Sequence, residues 1–191
     1  IGAIDPASGA QRSVVQGRFA APGGLAFTRR DGRATLLVAD AMGWREVDAV
    51  TGTVTMQPFD LLANGSSTIA VTARHVVLGY VRRASVTVLD RASGQVQRAF
   101  KGFQQPMGVV ALEDGTIFVV DYASGELVQL SATGDERRVV ATGLAGPVGL
   151  ALDAQGRLLV SEATAGRLLR IDPASGAREV LASRLSQPEG I

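Results

Sequence analysis

The chain has 191 residues, 46% of them apolar and 19% charged, and its 19 basic against 18 acidic side chains leave a net charge of +1. Such a composition belongs to a globular chain rather than a disordered one, and the balanced charge argues against a surface built around a polyanion. With no Cys and one His, disulfides, thiolate catalysis and a Cys/His zinc site are excluded within these residues.

Taken in chain order, the first feature is also the last. Ile4-Asp5-Pro6-Ala7-Ser8-Gly9-Ala10 recurs letter for letter as Ile171-Asp172-Pro173-Ala174-Ser175-Gly176-Ala177. Weaker copies lie between them at Asp48-Ala49-Val50-Thr51-Gly52, Asp90-Arg91-Ala92-Ser93-Gly94 and Ser131-Ala132-Thr133-Gly134. The turn glycines 9, 52, 94, 134 and 176 are spaced by 40 to 43 residues. A second marker, Pro-x-Gly, stands at Pro22-Gly23-Gly24, Pro106-Met107-Gly108, Pro147-Val148-Gly149 and Pro188-Glu189-Gly190, with one copy lost near Asn64-Gly65. Two markers with one period define a repeat.

Each unit reads as four short apolar runs separated by glycine-containing turns, without a sustained helical period. In the clearest copy the runs are 149–153, 157–162, 167–171 and 177–181. In each Asp-x-x-Ser/Thr-Gly segment the Asp accepts from downstream backbone NH groups and the Gly takes the left-handed conformation, which closes a hairpin. Asp31-Gly32, Asp114-Gly115 and Gln155-Gly156 close the hairpin before it. Four antiparallel strands in about 42 residues is the size of a β-propeller blade. The expected fold is therefore all-β, with blade units near 1–21 (partial), 22–63, 64–105, 106–146, 147–187 and 188–191 (partial), about four and a half in all.

Pro-x-Gly-Leu/Val-Ala, an Asp-Gly turn, Leu37-Val38-Ala39-Asp40 and the Ile-Asp-Pro-x-Ser-Gly segment together resemble the NHL-repeat class of propeller. They are also similar to the gluconolactonase/senescence-marker-protein family and to strictosidine-synthase-like proteins. The resemblance spans essentially the whole chain, most weakly residues 64–105, and implies a six-bladed ring. At about 42 residues per unit, five blades would close with about 17 further residues and six with about 59. Either a longer chain or another copy would complete the ring. Blade consensus is shared among proteins of unlike activity, so function has to come from the site.

Ligands of propellers usually bind at the channel mouth, where the connections from fourth to first and from second to third strand meet. Two positions per blade fall there. The x of Pro-x-Gly reads Gly23, a position near Ser66, Met107, Val148 and Glu189. The gluconolactonase resemblance implies oxygen ligands at these places for a divalent cation, calcium or zinc, that would polarise an ester. Glu189 alone fits that implication, and no cofactor is otherwise evident. The residue closing the second strand reads Asp40, Tyr80, Asp121 and Glu162. These carboxylates suit a cation or acid–base chemistry. Their recurrence in several blades equally suits acceptors that satisfy loop NH groups.

Trp44 offers either a stacking platform near the mouth or packing between blades. Tyr80 with Arg82 and Arg83 reads as an anion site or as a solvated pair. His75 falls on the opposite face as a surface residue, and Ser66-Ser67 lacks a partnered base. The charge and the 5% of aromatic residues give no support to nucleic acid at the rim. No apolar run reaches the 18 residues of a membrane helix, and the missing Cys fits a bacterial cytoplasm or periplasm alike. Eighteen Arg against one Lys (Lys101) read as codon bias. The sequence thus points to a binding propeller that takes a small molecule or a protein segment at its channel mouth. Its alternative is a metal-dependent lactonase or esterase, or a strictosidine-synthase-like enzyme, with a site completed by further blades.

Overall fold

The computed structural model describes residues 1–17, 19–40, 43–56 and 66–191. A two-stranded hairpin comes first, β1 (Gly2–Ile4) and β2 (Gln11–Ser13). Four four-stranded antiparallel sheets follow, each with its strands in chain order. They are β3 (Leu25–Arg30), β4 (Arg33–Asp40), β5 (Gly43–Asp48) and β6 (Val54–Met56); then β7 (Ser66–Val71), β8 (His75–Tyr80), β9 (Ser85–Asp90) and β10 (Val96–Phe100). The last two are β11 (Pro106–Ala111), β12 (Thr116–Asp121), β13 (Glu126–Ser131) and β14 (Arg137–Ala141), and β15 (Pro147–Leu152), β16 (Leu158–Glu162), β17 (Arg167–Ile171) and β18 (Arg178–Ala182). Helix among the described residues is confined to a 3₁₀ turn at Val81–Arg83. The innermost strands β3, β7, β11 and β15 pack against one another in sequence. This is the propeller that the repeat predicts. The lost Pro-x-Gly copy near Asn64-Gly65 lies outside the described residues.

The core is built between blades rather than within one. Leu37, Ala39 and Trp44 meet Ile69, Val76 and Leu78 of the next blade. Val77, Val86 and Val88 meet Val109, Ile117 and Val119, while Phe118 and Val120 meet Leu158, Val160 and Leu169. Successive residues of β12 therefore go to opposite neighbours, which is why it reads as one unbroken apolar run. Ile117, Leu127 and Leu158 are fully buried, each burial stabilising the fold by about 1.5–3 kcal/mol.

Glycine at the Pro-x-Gly marker has a packing reason. A Cβ on Gly108 would lie 2.6 Å from the carbonyl oxygen of Val148, and one on Gly149 would lie 2.7 Å from that of Glu189. The marker is thus the point where one inner strand passes against the next, and any side chain would strike main chain. The second full blade reverses the arrangement. Thr68 stands at the marker position and pairs with Gly79 of β8, where the next blade pairs Gly108 with Val120. The methyl of Thr68 fills the place that a Cβ on Gly79 would take. Bulk has been exchanged across one strand pair.

The Asp turns behave as their spacing predicts. Asp172 Oδ1 accepts from the NH groups of Ala174 at 3.1 Å and Ser175 at 2.7 Å. Asp5, Asp48 and Asp90 make the same pair of bonds, and Ser131 Oγ replaces them in the third full blade.

Arginine also has structural employment that a codon explanation misses. Arg12 donates to Ala49 O at 3.3 Å, Arg98 to Thr133 O at 2.9 Å and Arg138 to Pro173 O at 2.6 Å, each reaching the turn of the following blade. Arg137 reaches back to Lys101 O and Gly102 O at 3.0 and 3.2 Å while lying over the Phe103 ring. A planar fork with several fixed donors can bridge two carbonyls in a way an ammonium cannot.

Two outcomes follow from this packing. Gly79→Ala is expected to cost about 1–3 kcal/mol through overpacking, and Thr68→Gly in the same chain should recover most of it. Urea unfolding of both single variants and the double variant measures the coupling. The second outcome concerns acid. Asp5, Asp48, Asp90 and Asp172 are held below the ordinary carboxylate value, chiefly by the backbone NH three residues on. A carboxyl depressed in the fold stabilises it above its unfolded value near 3.8 and loses that contribution as pH falls through the folded one. Thermal melts should therefore be nearly flat from pH 7 to about 5 and fall below about 4. Asp90→Ala together with Asp172→Ala should lower the plateau and soften that fall.

Candidate functional site

The inner strands surround a cleft of about 410 Å³ lined by Gly23, Gly24, Thr68, Met107, Gly108, Val148, Gly149, Glu189 and Ile191. Strand register explains how the x residues reach it. Pro106 pairs with Asp121 but Gly108 with Val120, leaving Met107 as an extra residue. Pro147 pairs with Glu162 and Leu150 with Val160, so Val148 and Gly149 together face one residue. Ser66 pairs with Tyr80 and Thr68 with Gly79 in the same way. A β-bulge re-aims the side chain it carries, and here it turns the x position into the channel. The same register places the two residue series opposite one another at the mouth.

The carboxylates of the second series are not open to the cleft. Asp40 and Glu162 are fully buried and Asp121 is 2% exposed. Asp40 accepts from the NH groups of Ala20 and Ala21 at 3.0 and 2.7 Å and from Arg45 Nε at 3.0 Å. Glu162 accepts from Ala145 NH at 2.7 Å and Arg167 Nε at 2.7 Å. Asp121 has no such Arg among the described residues. Its oxygens take the NH groups of Gln104 and Gln105 at 2.6 and 2.9 Å, with Ala123 at 3.2 Å. In each case donors come from the segment that leads into the same blade's first strand. A buried carboxylate is tolerated when donors surround it, and these donors fasten the interblade connection. Arg45 and Arg167 are participants that the sequence reading passed over. Their shared spacing of five residues after Asp40 and Glu162 was the available signal.

Tyr80, at the fourth place of this series, is 4% exposed in the core between the first two full blades, with the Arg83 guanidinium 5.8 Å from its ring centre. Arg82 is exposed on the 3₁₀ turn that follows. Trp44 is 5% exposed and sits in that same interblade core rather than at the open mouth. His75 begins β8 opposite Asp90, at the far end of the blade from the channel mouth. The side chains of Ser66 and Ser67 lie outside the described residues.

Glu189 is exposed and lines the cleft, while its carbonyl oxygen lies 3.4 Å from Ser161 Oγ. Of the equivalent places in other blades, Gly23, Met107 and Val148 offer no side-chain oxygen, and the side chain of Ser67 lies outside the described residues. Among the described residues no three His, Asp or Glu side chains gather into a group able to hold a metal ion. The described side chains of this mouth supply one carboxylate, Glu189, which by itself is too small a donor set for a divalent cation. Among the described residues no helix is long and apolar enough to cross a membrane.

No protein-family profile matches the chain, and no curated sequence matches it. Solved structures do. A chain of a nidogen/laminin complex superposes with a TM-score of 0.77 at 23% identity, covering 88% of this chain and 67% of the other. Virginiamycin B lyase from Staphylococcus aureus gives 0.72 at 16% identity, covering 99% of this chain and 65% of that one. A streptogramin B lyase gives 0.70 at 16%, with 89% and 58% covered. Each is a likeness of fold, and the chain spans about two thirds or less of each neighbour's length.

If Asp121 and Glu162 fasten loops, Asp121→Ala and Glu162→Ala should each lower the unfolding free energy by about 2–3 kcal/mol, as lost charge-assisted hydrogen bonds do. Urea titration at pH 7 measures this. Unchanged midpoints would remove the structural assignment.

Proposed function

We propose that the chain is a propeller scaffold that binds a partner at its channel mouth. The observation that carries this reading is the division of labour among the mouth residues. The recurrent carboxylates are engaged by backbone NH groups and guanidinium groups, whereas the bulged x residues line a cleft of about 410 Å³. That volume lies within the range of ligand clefts, and the lining of Met107, Val148, Ile191 and several glycines supplies apolar contact and reachable main chain. A structural neighbour belongs to a complex between two proteins, nidogen and laminin, which accords with a binding role for such a scaffold.

Selection from a displayed library of random peptides tests the location. Clones retained by the wild-type chain should lose binding to Val148→Arg, which fills the mouth. They should keep binding to Arg74→Glu, at an exposed turn on the far end. Glu189→Arg, at an exposed position, provides a second mouth variant should Val148→Arg fold poorly. Clones that bind all variants equally would place recognition elsewhere. Hydrolysis of lactones or aryl esters with calcium or zinc, lost in Glu189→Ala, would replace the binding reading by the enzymatic one.

A further inference from the structure

The outer hairpin of each blade presents two positions whose residues change along the chain. Two places before the turn acceptor, the strand that enters the turn carries Ala3, Glu46, Val88, Gln129 and Arg170. Just after the acceptor stand Pro6, Ala49, Arg91, Ala132 and Pro173. Between the second and third full blades the two series meet as Val88 and Ala132, buried in one apolar cluster. Between the first and second they meet as Glu46 and Arg91, 6% and 7% exposed, with Oε1 3.9 Å from Nε.

This pair is poorly suited to adding stability. Arg30 holds Glu46 Oε2 at 2.6 Å, and Arg91 Nη1 reaches Thr28 Oγ1 and Thr72 O at 3.3 and 3.2 Å. Glu46 Oε1 and Arg91 Nη2 are buried with no hydrogen-bond partner among the described residues. Taking two charges out of water is offset only by complete hydrogen bonding, and apolar side chains of like volume serve a fold as well or better. Val88 and Ala132 show that this fold accepts them one interface further on.

The same pair is well suited to identifying a neighbour. The blades share one strand pattern, so apolar faces alone would accept more than one partner, including a blade from a second copy of the chain. Glu46 is the one acid of its series. Opposite any other member Arg91 would meet alanine, valine, an amide or the like charge of Arg170. Such pairings bury a guanidinium without a carboxylate, which rejects them.

We infer that Glu46 and Arg91 are a recognition pair that fixes the second full blade against the first and excludes exchange of blades between copies of the chain. Neither side chain lines the channel mouth, so this role is separate from binding there.

The double variant Glu46→Val with Arg91→Ala, which carries the residues of the next interface, tests this role. Its urea midpoint at low chain concentration should equal or exceed that of the wild type. Trp44, the single tryptophan, lies in the core between the same two blades. A wild-type emission maximum in the refolded variant therefore reports a correctly formed interface. Tagged and untagged chains are then unfolded together at high concentration, refolded and captured by the tag. The double variant should retain several times more untagged chain than the wild type does.

A lower midpoint, a reddened emission or failure of the double variant to fold would assign the pair to stability and overturn its recognition role. Equal capture of untagged chain in variant and wild type would overturn it as well. Arg91→Glu, which sets two carboxylates face to face, should redden the Trp44 emission or raise the capture. An Arg91→Glu chain unchanged in both would show that the pair recognises nothing.

Discussion

A blade of this protein has two apolar faces and can bury each only against another blade. β12 sends Ile117 and Val119 one way and Phe118 and Val120 the other, so this strand has no solvent-facing side. Everything else in the architecture serves this stacking. Glycines at the marker allow the inner strands to pass at main-chain distance, arginines bridge the outer turns, and buried acceptors pin the connections that carry the chain from blade to blade. Repeat architectures depend on such nearest-neighbour interfaces, because no single unit has a core of its own.

The same demand shapes the functional surface. A propeller mouth naturally gathers chain reversals, whose NH groups need acceptors. Asp40, Asp121 and Glu162 meet that need, each buried and accepting from NH groups of the segment that enters its own blade. Met107 and Val148 are displaced by bulges and line the channel. The x position reads Gly23, Met107, Val148 and Glu189 in different blades, and all four line the cleft. The x position varies along the chain while the strand end repeats a carboxylate in three of four full blades.

The second full blade illustrates how a repeat tolerates departure from its consensus. Thr68 and Gly79 exchange bulk across a strand pair, and Tyr80 takes a place that carboxylates hold elsewhere, buried in an interblade core. Arg91, at the turn of the same blade, donates to Thr28 Oγ1 of the preceding blade at 3.3 Å and to Thr72 O at 3.2 Å. Deviations that look irregular along the chain are matched pairs in space.

From the sequence by itself came the period, the four strands of each blade, the Asp-capped turns and the propeller architecture. These depend on contacts within a few residues, such as Asp172 with the NH groups two and three positions on, and local contacts leave a local pattern. The surroundings of the mouth residues were beyond its reach. Glu162 meets the Ala145 NH, 17 residues earlier in the chain, and Trp44 meets side chains of the next blade. The tertiary structure decided these points because their partners come from different strands and blades, brought together only when the apolar faces stack.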